Sequence, residues 1–469
     1  MKIGKIRPHI AKQLFFATVF LAIGNMCFAA AEKKIPAIDK KTVKCMIEKA
    51  VPMIEDITGR EFKKRIKFKI VKRDMIREAV AEGSLKIYKK IMNGNSDDAI
   101  GRQIENDALM ASQTSLGLYD PLKKKFLIIP SNIEYQVEEM GIEEEDFYDY
   151  LFLVVAHELV HMIDDQYFDL KGAIESKDNL DAIFAFAALR EGHAVYITNK
   201  IAERLKLSET VKNLSLKSAA GEVGILNRTI RQRNYNIYMK GAKFVEAIIE
   251  KNGVSGLSKA FGSPPVSTRQ IMNPEEYFSP SVYVGVDCIR LIEKITEDLP
   301  IEGAQTQTVP VGATNLSATL IAQGISENEA DSVAYECVNG AAFIASKKTL
   351  KAKMATVMLL NFRQQGSALQ YLEISKKVEA SSEAQVNAAL NSSYAVMEEE
   401  KLELEGFDFA QYRHVEIKNN GVVTITISAE GLMDTCYVGV SFTNMQEIIT
   451  EEKISEIMTA LGQEWLKMI

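Results

Sequence analysis

The stretch His157-Glu158-Leu159-Val160-His161 decides how this chain is read. In a helix, residues four apart lie on one face about a turn from each other, so both imidazoles can reach a single ion. Glu158 projects beside them, where it can take a proton from a zinc-bound water whose pKa the metal has lowered towards neutrality. The bland alternative is a core helix with two hydrogen-bonded histidines, which leaves the placed glutamate to coincidence. The flanking residues predict one helix from Glu143 to about Gln166, opened by Glu143, Glu144, Glu145 and Asp146, whose charges suit a helix N-terminus. Phe147, Leu151, Val155, Leu159 and Met162 recur at helical spacing, with the histidines beside that apolar face, so the helix is expected to be half-buried.

A catalytic zinc site usually has three protein ligands and one open position. A second helix, expected from Asp178 to Arg204, carries Ala187, Ala188, Glu191, Ala194 and Val195 on one face, with Gly192 adjacent. Small residues let two helix backbones approach, and a carboxylate in the middle of such a face is costly to bury without a partner. A metal ion is that partner, which makes Glu191 the expected third ligand beside His157 and His161, with Zn2+ as the expected cofactor. A salt bridge to Arg190 is the structural alternative for Glu191. The other histidines serve less well: His9 lies in a leader segment, His414 on a C-terminal strand, and His193, two positions from Glu191, is turned away as a packing or surface residue. Six residues beyond His161 stands Tyr167, which is not a usual ligand.

At 469 residues, with 47% hydrophobic and 25% charged content, the chain is long enough for about two or three domains with substantial cores. Lys2, Lys5, Arg7 and Lys12 precede an apolar run from Leu14 to Ile23 and then Cys27-Phe28-Ala29-Ala30-Ala31, the pattern of a secretory signal peptide over residues 1–31. The run is short for a bilayer span, and Gly24-Asn25-Met26 lacks the small-residue pattern of a lipidated cysteine. Later apolar stretches carry charges, as Leu180 to Ile197 does with Asp181, Arg190 and Glu191. An exported protein, periplasmic or extracellular, without stable membrane insertion after cleavage is therefore expected. Losing the leader removes four positive charges and no negative ones, taking the formal charge from −7 to −11. Nucleic acid is excluded as an expected partner, with no basic stripe carrying interleaved aromatics. Cys45, Cys288, Cys337 and Cys436 are too far apart for a zinc ribbon, and either disulfides or buried thiols fit them.

Along the chain, Lys40 to Ile57 reads as an amphipathic helix, Ile66 to Val71 as a strand, and Arg73 to Met92 as a helix. Leu116–Tyr119 and Phe126–Ile129 flank Asp120-Pro121, which suits a turn, so a hairpin precedes the metal helix. Helices are expected over most of Ser208 to Lys251, and a short turn capped by Ser267 or Thr268 ends before Asn273-Pro274. A turn-rich passage from Leu299 to Ala313 leads to a buried strand at Ala355–Phe362, a helix at Ser367–Val378, and strands Tyr412–Lys418 and Val422–Ser428 joined at Asn420-Gly421. Tyr437–Phe442 adds a strand and Met445–Ile469 a closing helix. The expected fold class is α+β: a helix-rich domain over residues 32–298 and a smaller C-terminal region over 299–469, with a small sheet at each end.

The H-E-x-x-H run with a glutamate on the next long helix resembles the gluzincins, the thermolysin-like zinc metallopeptidases. More closely, His157–His161 with Asp165-Gln166, then Ala188-Leu189-Arg190-Glu191-Gly192-His193-Ala194, is similar to a little-studied bacterial family of exported zinc peptidases. Leu116-Gly117-Leu118-Tyr119-Asp120-Pro121 and Pro264-Pro265-Val266-Ser267-Thr268-Arg269-Gln270-Ile271 also look like segments of that family, and the likeness spans about Thr58 to Phe278. The chain departs from the pattern at Val195, where the thermolysin-like enzymes place an aspartate that orients a zinc histidine. Asp165, Asp178 and Asp181 are the replacements considered for that role. It departs again at Asn273, where the family segment has histidine.

The resemblance implies a zincin-like domain and a zinc metallopeptidase acting on peptide or protein substrates. Glu158 would be the general base, and Tyr238 or Arg269 the further donor to the oxyanion, since both follow the metal helices in the same domain. Two other readings stay open: a zinc-stabilised binding or scaffold protein without turnover, and a hydrolase of a non-peptide amide. A structural zinc site, however, has no use for a base at Glu158.

Overall fold

The computed structural model describes residues 36–91, 97–207, 225–280, 287–297, 299, 303–347 and 352–467. The expected leader, residues 1–31, lies outside them, as does the segment 208–224 within the stretch expected to be helical.

The fold is mixed helix and sheet, in the α+β class expected. Helix α1 (Lys40–Thr58) is capped by Asp39, whose side chain accepts from the Thr42 amide at 2.8 Å, and is closed by Gly59 in the left-handed region. It buries Val43, Met46, Ile47, Ala50 and Ile54 in the same core as the metal-motif helix. A three-stranded sheet of β1 (Phe68–Ile70), β2 (Gly117–Asp120) and β3 (Lys125–Ile128) has the order β1-β3-β2, which leaves β2 at an edge. Strand β2 runs antiparallel to β3, while β1 pairs with β3 in parallel, Phe68 opposite Phe126. The β2–β3 turn is closed by Asp120, whose Oδ1 accepts the amides of Leu122 and Lys123 at 2.9 Å. Between β1 and β2 the chain leaves the sheet as a pair of helices, α2 (Arg73–Ile91) and α3 (Asp97–Thr114). Helix α3 was not expected, because only about one apolar residue per turn, Ile100, Ile104 and Ala108, is buried.

After α4 (Pro130–Met140) comes the central helix α5 (Glu144–Phe168), which carries both motif histidines. Sequence spacing predicts a half-buried helix; the structure buries it on nearly every side, Tyr150, Phe152, Leu153, Val160 and Ile163 included. The reason is that α1, the small sheet and α7 (Leu180–Leu205) pack around it. A short α6 (Leu170–Glu175) links α5 to α7, whose first turn is capped by Asn179 through the Ala182 amide at 2.9 Å.

Helix α8 (Ile225–Asn252) lies against α7 through glycines. A Cβ on Gly192 would fall on the carbonyl of Gly241, and one on Gly241 would fall on the carbonyl of Ala188. The two backbones touch, with no room for side chains between them. Helices α9 (Ser255–Gly262), α10 (Thr268–Met272) and α11 (Glu275–Phe278) complete this half. Ser267 does precede α10, but no side-chain cap forms; the Thr268 hydroxyl and amide instead bind Asp181 at the start of α7.

The C-terminal half is built on seven strands in the order β4-β5-β6-β10-β9-β8-β7, every pairing antiparallel. They are β4 (Gln305–Pro310), β5 (Cys337–Lys347), β6 (Lys353–Phe362), β7 (Ser392–Lys401), β8 (Phe409–Asn419), β9 (Val422–Met433) and β10 (Cys436–Thr443). This is larger than the small sheet expected. Strand β4 is polar and β7 is exposed on both faces, so neither shows the alternation that marks a half-buried strand. Helices α12 (Cys288–Thr296) and α16 (Glu451–Leu466) cover one face. Helices α13 (Ala313–Ala322), α14 (Glu327–Glu336) and α15 (Gln365–Ala388) cover the other. Cys288, Leu291 and Ile292 of α12 belong to the sheet's core, so that core begins before the boundary expected at residue 298. Asn420 and Gly421, both at positive φ, make the two-residue turn between β8 and β9. The four cysteines are free thiols, Cys45 exposed and the others buried.

Gly192→Ala is expected to destabilise the fold by about 1–3 kcal/mol or more, because its methyl group has no space and the neighbour is backbone. Gly101 of α3 meets nothing within 4 Å of an added Cβ. Its alanine variant should therefore be neutral or stabilising by up to about 1 kcal/mol. Urea denaturation of both variants checks the contrast.

Candidate metal centre

His157 and His161 lie one turn apart on α5, and α7 brings Glu191 to them. The His157 Nε2 is 3.0 Å from Glu191 Oε2, the His161 Nε2 is 3.1 Å from the same oxygen, and the two ring nitrogens are 3.2 Å apart. In a tetrahedral zinc site, bonds of about 2.0–2.1 Å place neighbouring ligand atoms about 3.3 Å apart, close to the sides of this triangle. Among the described residues this is the one group of three His, Cys, Asp or Glu side chains whose ligand atoms close to this extent. The donor set can hold a metal ion. Glu191 faces two ways: Oε2 lies against the histidines, while Oε1 accepts from Arg190 Nη2 at 2.7 Å, the salt bridge considered as the alternative.

The electrostatics follow from crowding these groups out of water. Burial works against the carboxylate of Glu191, but the charges of His161 and Arg190 and the hydrogen bonds from both histidines outweigh it, holding its pKa well below the ordinary value. Burial lowers the pKa of His161. On His157 burial acts the same way, but the hydrogen bond and charge of Glu191 win and the pKa is raised. Glu158 is buried, and its pKa is pushed up to about 7 by burial, with Glu191 adding to the effect against His157. Its Oε2 has no hydrogen-bond partner. This is a carboxylate poised near neutrality with a free oxygen.

Strand β2 forms the wall beside that carboxylate. A Cβ on Gly117 would lie 2.7 Å from both Cγ and Oε1 of Glu158, so only glycine lets the strand pass this close. The hairpin is tied to the metal helix by Asp165: its Oδ2 accepts the Tyr119 hydroxyl and the Lys124 ammonium, each at 2.6 Å, and its Oδ1 accepts the Leu170 amide at 3.1 Å.

From α8, Tyr238 stacks on His157, ring centroids 5.9 Å apart and planes 16° apart. It sits one turn before Gly241, so the glycine contact between α7 and α8 delivers it to the His-His-Glu cluster. Burial, with Glu191 and Glu158 nearby, holds its phenol well above the ordinary pKa, so it stays a neutral O–H donor. Arg269 is placed elsewhere, away from the cluster. Its Nε donates to the Tyr335 carbonyl at 3.1 Å and its Nη2 meets Glu276 at 3.1 Å. Its neighbour Thr268 binds Asp181, ten positions before Glu191 on α7 and hence about 15 Å away along the helix. Arg190 is the cation that the structure brings to the cluster instead, with its Nε buried and unpartnered. Its signal in the sequence was adjacency to Glu191, which suggested only a salt bridge.

None of the three aspartates considered for orienting a zinc histidine does so. Asp165 is engaged by the hairpin, Asp178 by Lys90 at 2.9 Å, and Asp181 by Thr268, while His161 Nδ1 has no hydrogen-bond partner. His193 is a buried packing residue rather than a surface one: its Nδ1 is 2.8 Å from Asp164 Oδ2. Asn273 bonds the Tyr335 hydroxyl, beside Arg269.

No protein-family model matches the chain, and no curated protein matches it. Among solved structures, that of a "putative hydrolase with a novel fold" from Chloroflexus aurantiacus is similar with a TM-score of 0.35 and 19% identity, over 51% of this chain and 91% of that one. The superposition is too loose to carry a residue's role from one protein to the other.

Added Zn2+ is expected to raise the melting temperature of metal-free protein in a concentration-dependent way, as binding to the folded state alone requires. Glu191→Ala should weaken zinc binding by on the order of 100-fold or more, the upper end of what losing even an outer partner costs. Competition against a chromophoric chelator measures it.

Proposed function

We propose that the protein is a zinc-dependent metallopeptidase of the gluzincin kind, with a zincin-like domain that hydrolyses peptide bonds. One observation carries this reading: beside a His-His-Glu donor set stands a buried carboxylate, Glu158, with a free oxygen and a pKa near 7. A closed structural site would gain nothing from such a group, whereas a general base works best with its pKa near the working pH. Zinc suits a donor set of two imidazole nitrogens and a carboxylate oxygen, with His157, His161 and Glu191 as the ligands. When bound, the metal would act as a Lewis acid and lower the pKa of water beside it.

The other roles are assigned to the chain's own residues. Glu158 accepts a proton from the attacking water and returns it to the leaving amine. Tyr238, neutral at physiological pH, donates its O–H to the developing oxyanion, and the unpartnered Nε of Arg190 lies in the same cluster. The free edge of β2 supports an extended peptide by backbone pairing, which admits many sequences and favours a peptide over a compact amide. Export through the leader remains part of the proposal, and the C-terminal sheet is taken as a separate region without catalytic groups.

Glu158→Gln should leave zinc bound and the fold intact while peptide cleavage falls by on the order of 10³ or more. Metal analysis together with cleavage of a mixed peptide library tests it; a zinc-loaded wild-type protein that cleaves nothing would sink the peptidase reading. Gly117→Ala should also keep its zinc, yet lose kcat by at least about 10-fold, because the new methyl group pushes Glu158 from its position. Steady-state kinetics at saturating peptide reads that loss.

A further inference from the structure

The segment Gly59-Arg60-Glu61-Phe62-Lys63-Lys64-Arg65-Ile66-Lys67-Phe68-Lys69-Ile70-Val71-Lys72-Arg73 holds eight cations and one acid. Its formal charge of +7 sits in a protein of net charge −7, so the rest of the chain carries −14. No other stretch opposes the overall charge so strongly, and the proposed reaction makes no use of it.

The structure separates the cations by what they do. Arg60 donates to Ser258 at 2.9 Å and lies over the Phe168 ring, and Arg73 donates to Asn132 at 2.6 Å. Lys63 lies over the Tyr167 ring, 3.4 Å from its centroid, and Lys69 reaches Met75 Sδ at 3.5 Å; these two, with Lys64, Arg65, Lys67 and Lys72, are exposed and carry no salt bridge among the described residues. They project from the loop after α1, from β1, the edge of the small sheet opposite β2, and from the turn before α2. Exposure alternates from Arg65 to Ile70, which puts Arg65, Lys67 and Lys69 on one side; in a strand such alternate residues stand about 6.6–6.8 Å apart. Lys125 extends it, since the register pairing Phe68 with Phe126 sets Lys125 level with Lys67.

The aromatic residues in the segment face inward. Phe68 stacks on Phe126 with centroids 5.6 Å apart, and Phe62 packs against the main core. They leave no free ring for stacking nucleic-acid bases, which single-stranded nucleic-acid surfaces need. A row of mostly lysine point charges along a sheet edge suits a charged plane. A plane of anionic lipid headgroups attracts clustered lysines within a Debye length, about 8 Å at physiological ionic strength.

We propose that the Lys63–Lys72 face is a docking surface for an anionic phospholipid membrane, holding the folded protein against it by charge alone. The test is co-sedimentation of the protein, purified as the expressing cell processes it, with vesicles of phosphatidylcholine alone or with about 30% phosphatidylglycerol, a content at which surface lysines respond to the potential. Binding is expected only to the phosphatidylglycerol vesicles, at least about 10-fold weaker at 0.5 M salt than at 0.1 M. It should be lost in the variant Lys64→Glu, Arg65→Glu, Lys67→Glu, Lys69→Glu. If that variant fails to keep its melting temperature and zinc content, the four glutamine substitutions replace it, with a smaller expected loss. No binding to anionic vesicles, or binding that the folded variant retains, overturns the proposal. Retention by heparin without vesicle binding overturns it too, in favour of a soluble polyanion, as does self-association of wild-type protein that the variant abolishes.

Discussion

The architecture depends on the backbone contact between α7 and α8 at Gly192 and Gly241. Two helices rarely approach so closely, because side chains normally keep their axes apart. Here the missing side chains serve two purposes. They let α7 sit deep enough against its neighbours to bury Glu191, and they bring Tyr238 over the ring of His157. A larger residue at either glycine would disturb both, so packing and candidate chemistry share one steric condition.

Burying Glu191 creates an electrostatic demand that its surroundings answer from three directions. Two imidazoles face one oxygen and Arg190 the other, so a carboxylate otherwise costly to remove from water is kept ionised. Glu158, only a residue from His157, meets the opposite environment and is driven towards its neutral form by burial. Two glutamates within one cluster are thereby pushed apart in acidity, the pattern by which one site holds a ligand and a base together.

Much of this was legible in the sequence because it is local. The five-residue motif set the helical face, the alanines around Glu191 marked a close-packed helix, and Asn420-Gly421 marked a hairpin. What escaped was tertiary. The polar β4 and the doubly exposed β7 do not alternate, and α3 buries too little to show a clear stripe. Arg269 seemed a donor because it follows the metal helices along the chain, yet α10 anchors at the far end of α7, where Asp181 holds Thr268. Adjacency in sequence says little about distance once a helix about 40 Å long intervenes. The cationic run after α1 was passed over because charge was read over the whole acidic chain; the fold shows its lysines exposed and Phe68 stacked inward on Phe126.

Asp164 and His193 form a hydrogen bond between α5 and α7, buried just beyond the residues that converge on the metal position. The two helices are therefore fastened to each other by a link outside the His-His-Glu cluster. Small zinc domains collapse when stripped of metal because the ion itself joins their segments. Here α5 and α7 are also joined by this protein–protein link, so the two helices that carry the candidate donor set do not depend on an ion alone to hold them together.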